Sequence, residues 1–486
     1  MYNGDYGATR FSPLRQITTR NVVRLQRVAR YKLPEITSFQ SGPVVVGRTL
    51  YVTSALHTYA IDAVTGRLLW HNKYAATSMG LGTPVRGVAY ASGRLFRGTP
   101  DGHLLALNAR TGRVIWNVSM GDPKRGEYFT VAPIVWRGRG FIGTSGSDVG
   151  SIGRVIAFDT GNGRRLWSWA VVPSKGPGAD TWSATNPRAG GGMYSSYALD
   201  PASGILYVPT GNPGPDFAGS YRPGKNLYTC SAVMLNTRTG AFLGYHQFVP
   251  HDVHDWDIAA SPVLFTSRAG RRMVAVGGKD GYLYGLDRRL QTVRYKTSVT
   301  THSNTAAPLT PEGTLFAPGT QGGVNWYGPA YSPRTNLLYV PAIDWPTLLK
   351  LAGGDTIDFH PGKPFLGSAN MFGFSDPNKR QGWLTAVDAD TGRVRWKYRS
   401  KQPMVAAVTP TAGGVVFTGD FLGNLLALDA ATGRVLARKK VAGPVGGGIV
   451  TYTVNGRQYV AVSAGMKNDI MMTKTPMSAV DIFALR

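Results

Sequence analysis

The sequence predicts an all-β protein, an eight-bladed β-propeller of four-stranded antiparallel blades. Three observations carry that prediction: a strand–turn–strand motif that recurs seven times, a turn-rich composition, and strand-like segments at both termini that can close a ring. The clearest motif copies are AIDAVTGRLLW at 60–70, ALNARTGRVIW at 106–116, AFDTGNGRRLW at 157–167 and AVDADTGRVRW at 386–396. Weaker copies are MLNTRTGAFLG at 234–244, GLDRRLQTVRY at 285–295 and ALDAATGRVLA at 427–437. Neighbouring motif Asp or Asn residues stand 46 residues apart from Asp62 to Asn108, and 51 apart from Asn108 to Asp159 and from Asn236 to Asp287. A period of roughly 40–50 residues marks a repeat architecture.

Within each copy the apolar run reads as a buried strand. The Asp or Asn bonds its own backbone in a turn, and Gly supplies a positive φ. The β-branched and aromatic residues that follow open the next strand. One unit cannot cover its apolar face, so units pack radially and each Trp wedges between neighbours. The longer gaps, from Asp159 to Asn236 and from Asp287 to Asp388, predict large loops rather than lost blades. An eighth blade is predicted from strands at 448–454, 458–463 and 479–485, with its outer strand from 22–33. That closure hides the edge strands.

Composition agrees with a single unit over residues 1–486 and no cytochrome domain. The chain has 62 Gly and only 16% charged residues. No apolar run approaches the roughly 18 residues of a membrane span. The opening Met1-Tyr2-Asn3-Gly4-Asp5 carries no apolar leader, so either the protein is cytosolic or a leader has been trimmed. The single Cys230 excludes an intrachain disulfide and a covalent c-type haem. The net charge of +26 reads either as solubility, from Arg scattered over exposed turns, or as attraction to an acidic partner, a nucleic acid or an anionic membrane. No basic tract is dense enough, or interleaved with aromatics, to argue for nucleic acid.

One segment concentrates chemistry. HDVHDWD at 251–257 packs three Asp and two His into seven residues. On spacing alone it is either a metal site or a polar loop with satisfied hydrogen bonds. Other segments are VRGVAY at 85–90, TGNPGP at 210–215, KNLYTCS at 225–231 and NWYGPAYSP at 325–333. Together with the opening Asp5-x3-Thr9-Arg10-x-Ser12-Pro13-Leu14-x-Gln16-Ile17, these blocks resemble, in order, the pyrroloquinoline quinone (PQQ) dependent alcohol and methanol dehydrogenases, eight-bladed quinoprotein propellers. The resemblance covers essentially the whole chain and implies an exported, periplasmic protein whose leader has been removed.

The resemblance places Asp255 on the catalytic base. Asp257 falls on an extra metal-binding carboxylate that accompanies lanthanide use in methanol-type relatives and also occurs in calcium-using sugar-oxidising ones. Asn212 falls on the metal-binding amide, and Asp148 on a position that is Glu in the family. Being one methylene shorter, Asp148 reaches an ion only if its loop moves in, or through water. Oxygen-only ligands favour a hard cation, Ca²⁺ or a lanthanide. If 251–257 is extended, Asp255 and Asp257 share a face and Trp256 points away; His254 reads as packing. The resemblance assigns edge contacts to the cofactor to Arg86, Thr130, Ser145, Lys279 and Asn325, with Lys279 near the reactive carbonyl oxygens. Gln40 stands where the family often has Glu. Tyr194 replaces a stacking Trp. Gly80 and Leu81 replace a capping disulfide, and Val405 replaces a further Trp.

The implied function is PQQ- and metal-dependent oxidation of an alcohol or sugar by hydride transfer to the quinone, with Asp255 as general base. Electrons then pass to a separate cytochrome c-type acceptor. The alternative is a non-catalytic propeller scaffold that binds no quinone. The substrate is set by loops such as 174–186 and 348–381.

Overall fold

Eight four-stranded antiparallel sheets account for the architecture in the computed structural model, which describes residues 1–80, 84–353 and 357–486. Seven blades run through 44–73, 89–119, 134–170, 198–247, 263–298, 330–400 and 409–440. In each, the strand nearest the N-terminus lies at one edge and the following strands pair outward in sequence order. The eighth blade joins the chain ends: Leu25–Lys32 pairs with Ala479–Leu485, which pairs with Arg457–Ala464 and then Ile449–Val454. The expected closure by N- and C-terminal strands is observed; a short 3₁₀ turn, Val22–Arg24, precedes the N-terminal strand.

Each motif spans the third strand of a blade, the turn, and the fourth strand. His57–Asp62 is buried from Thr58 onward because blades cover both of its faces, whereas Leu68–Lys73 alternates toward solvent. The turn acid acts as expected. Asp62 Oδ1 accepts hydrogen bonds from the backbone N–H of Val64 (3.0 Å) and Thr65 (2.8 Å). Asn108 Oδ1 does the same for Arg110 and Thr111.

The motif's aromatic is the link between blades. Trp70 Nε1 donates to the Ala109 carbonyl at 3.0 Å, Trp167 Nε1 to Thr237 at 3.1 Å, and Trp396 Nε1 to Ala430 at 3.2 Å. Each acceptor belongs to the next blade's turn, and that turn's Gly lies against the same ring. A Cβ on Gly240 would stand 2.7 Å from the Trp167 indole, and φ there is +74°. Gly240→Ala therefore combines a left-handed backbone with an overpacked interface, and lowers stability by about 2–4 kcal/mol. Thermal melting checks this: an unchanged melting temperature contradicts the assigned role of the turn.

The long gaps hold loops, as expected. Two small two-stranded sheets brace them, Ala189–Gly190 with Pro213–Gly214 and Thr314–Phe316 with Thr347–Leu349. A buried cluster of Tyr2, Trp326, Tyr327, Trp345, Val405 and Met466 fills the centre of the ring, with Tyr194 packed against it. Val405 is thus a core residue here. Leu81 lies outside the described residues.

Candidate active site

Antiparallel pairing decides where the functional side chains gather. The start of a blade's first strand and the end of its second lie at the same end of the blade. Gln40, Arg86, Thr130, Tyr194, Asp255, Asp257 and Asn325 precede first strands; Ser145, Asp148, Asn212 and Lys279 follow second strands. All eleven residues singled out from the sequence line one cavity of about 860 Å³, counting its open mouth.

The floor of this cavity is acidic. The Lys279 ammonium sits between two carboxylates, 3.0 Å from Asp255 Oδ1 and 2.7 Å from Asp257 Oδ2, with all three side chains almost fully buried. Asp257 is held in place by further donors: the Asn212 backbone N–H reaches Oδ1 at 2.7 Å and the Tyr194 hydroxyl reaches Oδ2 at 2.9 Å. Asp148 sits on the 3₁₀ turn Ser147–Val149. Burial pushes its carboxyl up to about 6, with the charge of Asp257 adding to the shift. Burial also pushes Asp255 well above the ordinary carboxyl range; Lys279 opposes this, while Asp257 and Asp148 reinforce it. Burial works against the Lys279 ammonium, yet Asp255 and Asp257 outweigh it and hold its pKa well above the usual lysine value. Burial is the main cause for the two aspartates, the neighbouring carboxylates add to it, and the same carboxylates hold the ammonium charged.

The local fold of 251–257 differs from the extended strand expected. Asp255 has φ +61°, a left-handed conformation uncommon outside Gly. The Asp252 carboxylate causes it by accepting from the backbone N–H of His254 (3.1 Å) and Trp256 (2.8 Å), which coils the segment. Asp255 and Asp257 therefore meet at Lys279 through a turn, not through strand alternation. The loop is anchored by the fully buried Arg222, which donates to the carbonyls of Pro215 (2.8 Å), Asp216 (2.8 Å) and Asp252 (2.5 Å) and to Asn226 Oδ1 (2.9 Å). Backbone strain kept by such bracing is typical of working sites. His254 stacks on Trp256 with ring centroids 4.2 Å apart, and burial lowers its pKa to about 4. It is neutral packing at physiological pH.

Above the acids the cavity turns aromatic and cationic. The Arg86 guanidinium lies 5.1 Å from the Tyr194 ring centroid and 5.6 Å from that of Trp326, and Nη1 donates to the Tyr194 carbonyl at 2.7 Å. Thr130 and Ser145 share a hydrogen bond of 2.8 Å, Ser145 donates on to Met193, and Asn325 Nδ2 donates to the Gln321 carbonyl. Sequence reasoning did not assign Trp326, Tyr128, Gln321, Phe372 or Met471, which also line the cavity. Trp326 directly follows Asn325 in the segment 325–333.

Two features test whether a flat tricarboxylate and a hard cation suit this site. Arg86 Nε and Gln40 Oε1 are buried without a hydrogen-bond partner, so the edge retains unused polar atoms. The floor holds oxygen donors in excess of positive charge, and the Lys279 ammonium already occupies a cation's place between Asp255 and Asp257. Among the described residues no three His, Cys, Asp or Glu side chains enclose an ion as they stand. The donor chemistry nonetheless fits Ca²⁺ or a lanthanide, and the basic, aromatic upper part fits the quinone.

Comparison with known proteins gives the same direction. The family described as glucose/ethanol/alcohol dehydrogenase, β-propeller domain, matches residues 1–290 and 289–363; residues 380–472 match the outer membrane protein assembly factor BamB family. The chain is 32% identical to the quinohemoprotein alcohol dehydrogenase of Comamonas testosteroni over 95% of its own length and 72% of that protein. It is 29% identical to the lanthanide-dependent methanol dehydrogenase of Methylacidiphilum fumariolicum, over 96% and 84%. The crystal structure of the Comamonas enzyme superposes with a TM-score of 0.91 at 28% identity, covering 100% of this chain and 80% of the other. A europium-containing methanol dehydrogenase gives 0.88 at 26% identity, covering 100% and 97%.

Proposed function

The chain belongs to the PQQ-dependent glucose, ethanol and alcohol dehydrogenase β-propellers, and from that premise we propose that it is a quinoprotein alcohol dehydrogenase. The observation that supports this best is the buried Asp255–Lys279–Asp257 set beneath an aromatic, Arg86-bearing cavity. A scaffold has no physical need for it, since buried charges are costly to keep. Bound PQQ would supply the hydride acceptor, and a hard cation would supply Lewis-acid polarisation of its carbonyl.

The chain's own residues do the rest. Asp255 takes the hydroxyl proton of the alcohol: a carboxylate with a raised pKa is a stronger base, and burial has removed its competing water. Lys279 holds Asp255 oriented and carries positive charge to the edge where the quinone oxygens would lie. Asp257, Asn212 and Asp148 would be the cation's further ligands, with Asn212 contributing its amide oxygen. Arg86, Gln40, Thr130, Ser145 and Asn325 would bind the quinone's polar edge. Tyr194 and Trp326 supply aromatic surface, with Tyr194 tied down by its bond to Asp257.

Phe372 and Ile470 line the cavity, Ile470 being 45% exposed, and Met371 and Met472 stand exposed close to them in the chain. These apolar side chains favour an alcohol with an apolar tail over a sugar. The acceptor is proposed to be a separate cytochrome c-type protein in the periplasm. Reconstitution with PQQ and Ca²⁺ or La³⁺, followed by dye reduction with alcohols and glucose, tests the reading. Turnover of alcohols upholds it; no thermal shift with PQQ and millimolar metal favours the scaffold instead.

Cation binding should also depend on pH. A carboxyl raised to about 6 keeps its proton at pH 5 and has lost it at pH 7. A cation must displace that proton in acid, so affinity rises as pH passes upward through about 6, approaching tenfold per unit below it. Calorimetric titration of Ca²⁺ or La³⁺ at pH 5 and pH 7 checks this. Equal affinities remove Asp148 from the site.

A further inference from the structure

One acidic residue outside the proposed ligand set has no structural explanation. Asp216 lies four residues after Asn212, on the loop anchored by Arg222, and is 0% exposed. Both of its carboxyl oxygens are buried without a hydrogen-bond partner. Arg222 reaches only its backbone carbonyl, at 2.8 Å. Such a group is rare in a folded protein, because an unpaired buried carboxyl bears its full desolvation cost. Of the 27 Asp and Glu residues in the chain, no other described one has both oxygens in this state.

Its surroundings point in one direction. The charges that act on it most are those of Asp148, then Asp255 and Asp257, with Arg222 a weaker opposing influence. The backbone joins it to Asp148 as well. Phe365 N–H donates to the Asp148 carbonyl at 2.7 Å, and Phe217 N–H donates to the Leu366 carbonyl at 2.9 Å. The segments bearing Asp148 and Asp216 thus clasp the same two residues, 365 and 366. Asp148 is also the position where the chain is one methylene shorter than the Glu of the family it resembles.

We propose that Asp216 is a further carboxylate of the cation site, supplying the reach that Asp148 lacks. The inference rests on the cation site proposed above. It gives the buried, unpaired carboxyl of Asp216 a partner, the ion itself. A purely structural Asp would be hydrogen-bonded, and an apolar residue would fill the position at lower cost.

Terbium luminescence, sensitised by Trp256 and Tyr194, tests this on the full chain with Tb³⁺ alone as probe. Asp216→Asn should bind Tb³⁺ more weakly by about tenfold or more, while its melting temperature without metal stays at or above that of the natural protein. Asp148→Glu added to Asp216→Asn should restore most of the affinity. If Asp216→Asn does not yield folded protein, Asp216→Ser carries the same expectation. Unchanged affinity in the folded variant, or failure of Asp148→Glu to restore it, overturns the role of Asp216. If the natural protein binds Tb³⁺ and Asp255→Asn weakens that binding while Asp216→Asn does not, only this inference falls. If the natural protein shows no saturable binding, the cation site falls and the inference falls with it.

Discussion

Asp255→Asn should lower kcat of the reconstituted enzyme by about 10²–10⁴-fold, the usual contribution of a positioned general base, while leaving the propeller folded. The substitution is suited to separating chemistry from architecture. Asn has nearly the shape of Asp and tolerates the left-handed conformation that residue 255 adopts at φ +61°. Its amide oxygen can still accept from Lys279 and still face a cation. What it cannot do is take a proton. The loss should therefore fall on kcat, with little change in KM for the alcohol. Steady-state dye reduction together with thermal melting reads both quantities. Turnover within a few-fold of the natural protein would show that another group accepts the proton. A collapse in melting temperature would instead mean that Asp255 is needed for the loop, which the bracing by Asp252 and Arg222 argues against.

That bracing also shows where the sequence could be read and where it could not. Seven blades were legible because their determinants are local: the turn Asp or Asn caps its own backbone, a Gly takes a positive φ in six of the seven copies, and a Trp sits at a fixed offset in four. The eighth blade has no motif copy and was found only as the strands left over. The site was legible residue by residue through short blocks such as TGNPGP and HDVHDWD, and those residues share one cavity. Its geometry was not legible, because it depends on contacts between distant segments. Asp252 looked like one more acid in a cluster, yet it coils the loop that turns Asp255 inward. Arg222 was not singled out, yet it is buried and ties 215–226 to Asp252. Trp326 was quoted within a block but gained meaning only beside Arg86. Asp216 carried no signal, since an orphaned carboxyl is a property of its surroundings and not of its neighbours in the chain.

Lys279→Met should have the largest effect on stability, and that effect should depend on metal. Met keeps the apolar stem and removes the charge, leaving Asp255 and Asp257 facing each other in a buried space. Removing one partner of a buried ion pair costs about 3–5 kcal/mol, so the metal-free variant should melt well below the natural protein. A cation placed between the same carboxylates replaces the missing charge. At a hundred times its dissociation constant an ion returns about 2.7 kcal/mol by mass action, enough to recover most of the loss. The natural protein should gain less, because its ammonium must first give way. Melting curves with and without La³⁺ therefore carry a sign as well as a size: the gap between variant and natural protein should narrow when the ion is added. A gap that stays constant would mean that the ion, if bound, does not share the carboxylates with Lys279, and would separate the ammonium's place from the metal's. A narrowing gap, in a variant that binds ion yet turns over poorly, would divide the two roles of the lysine, since charge balance can be returned by a metal while the contact proposed for it with the quinone edge cannot.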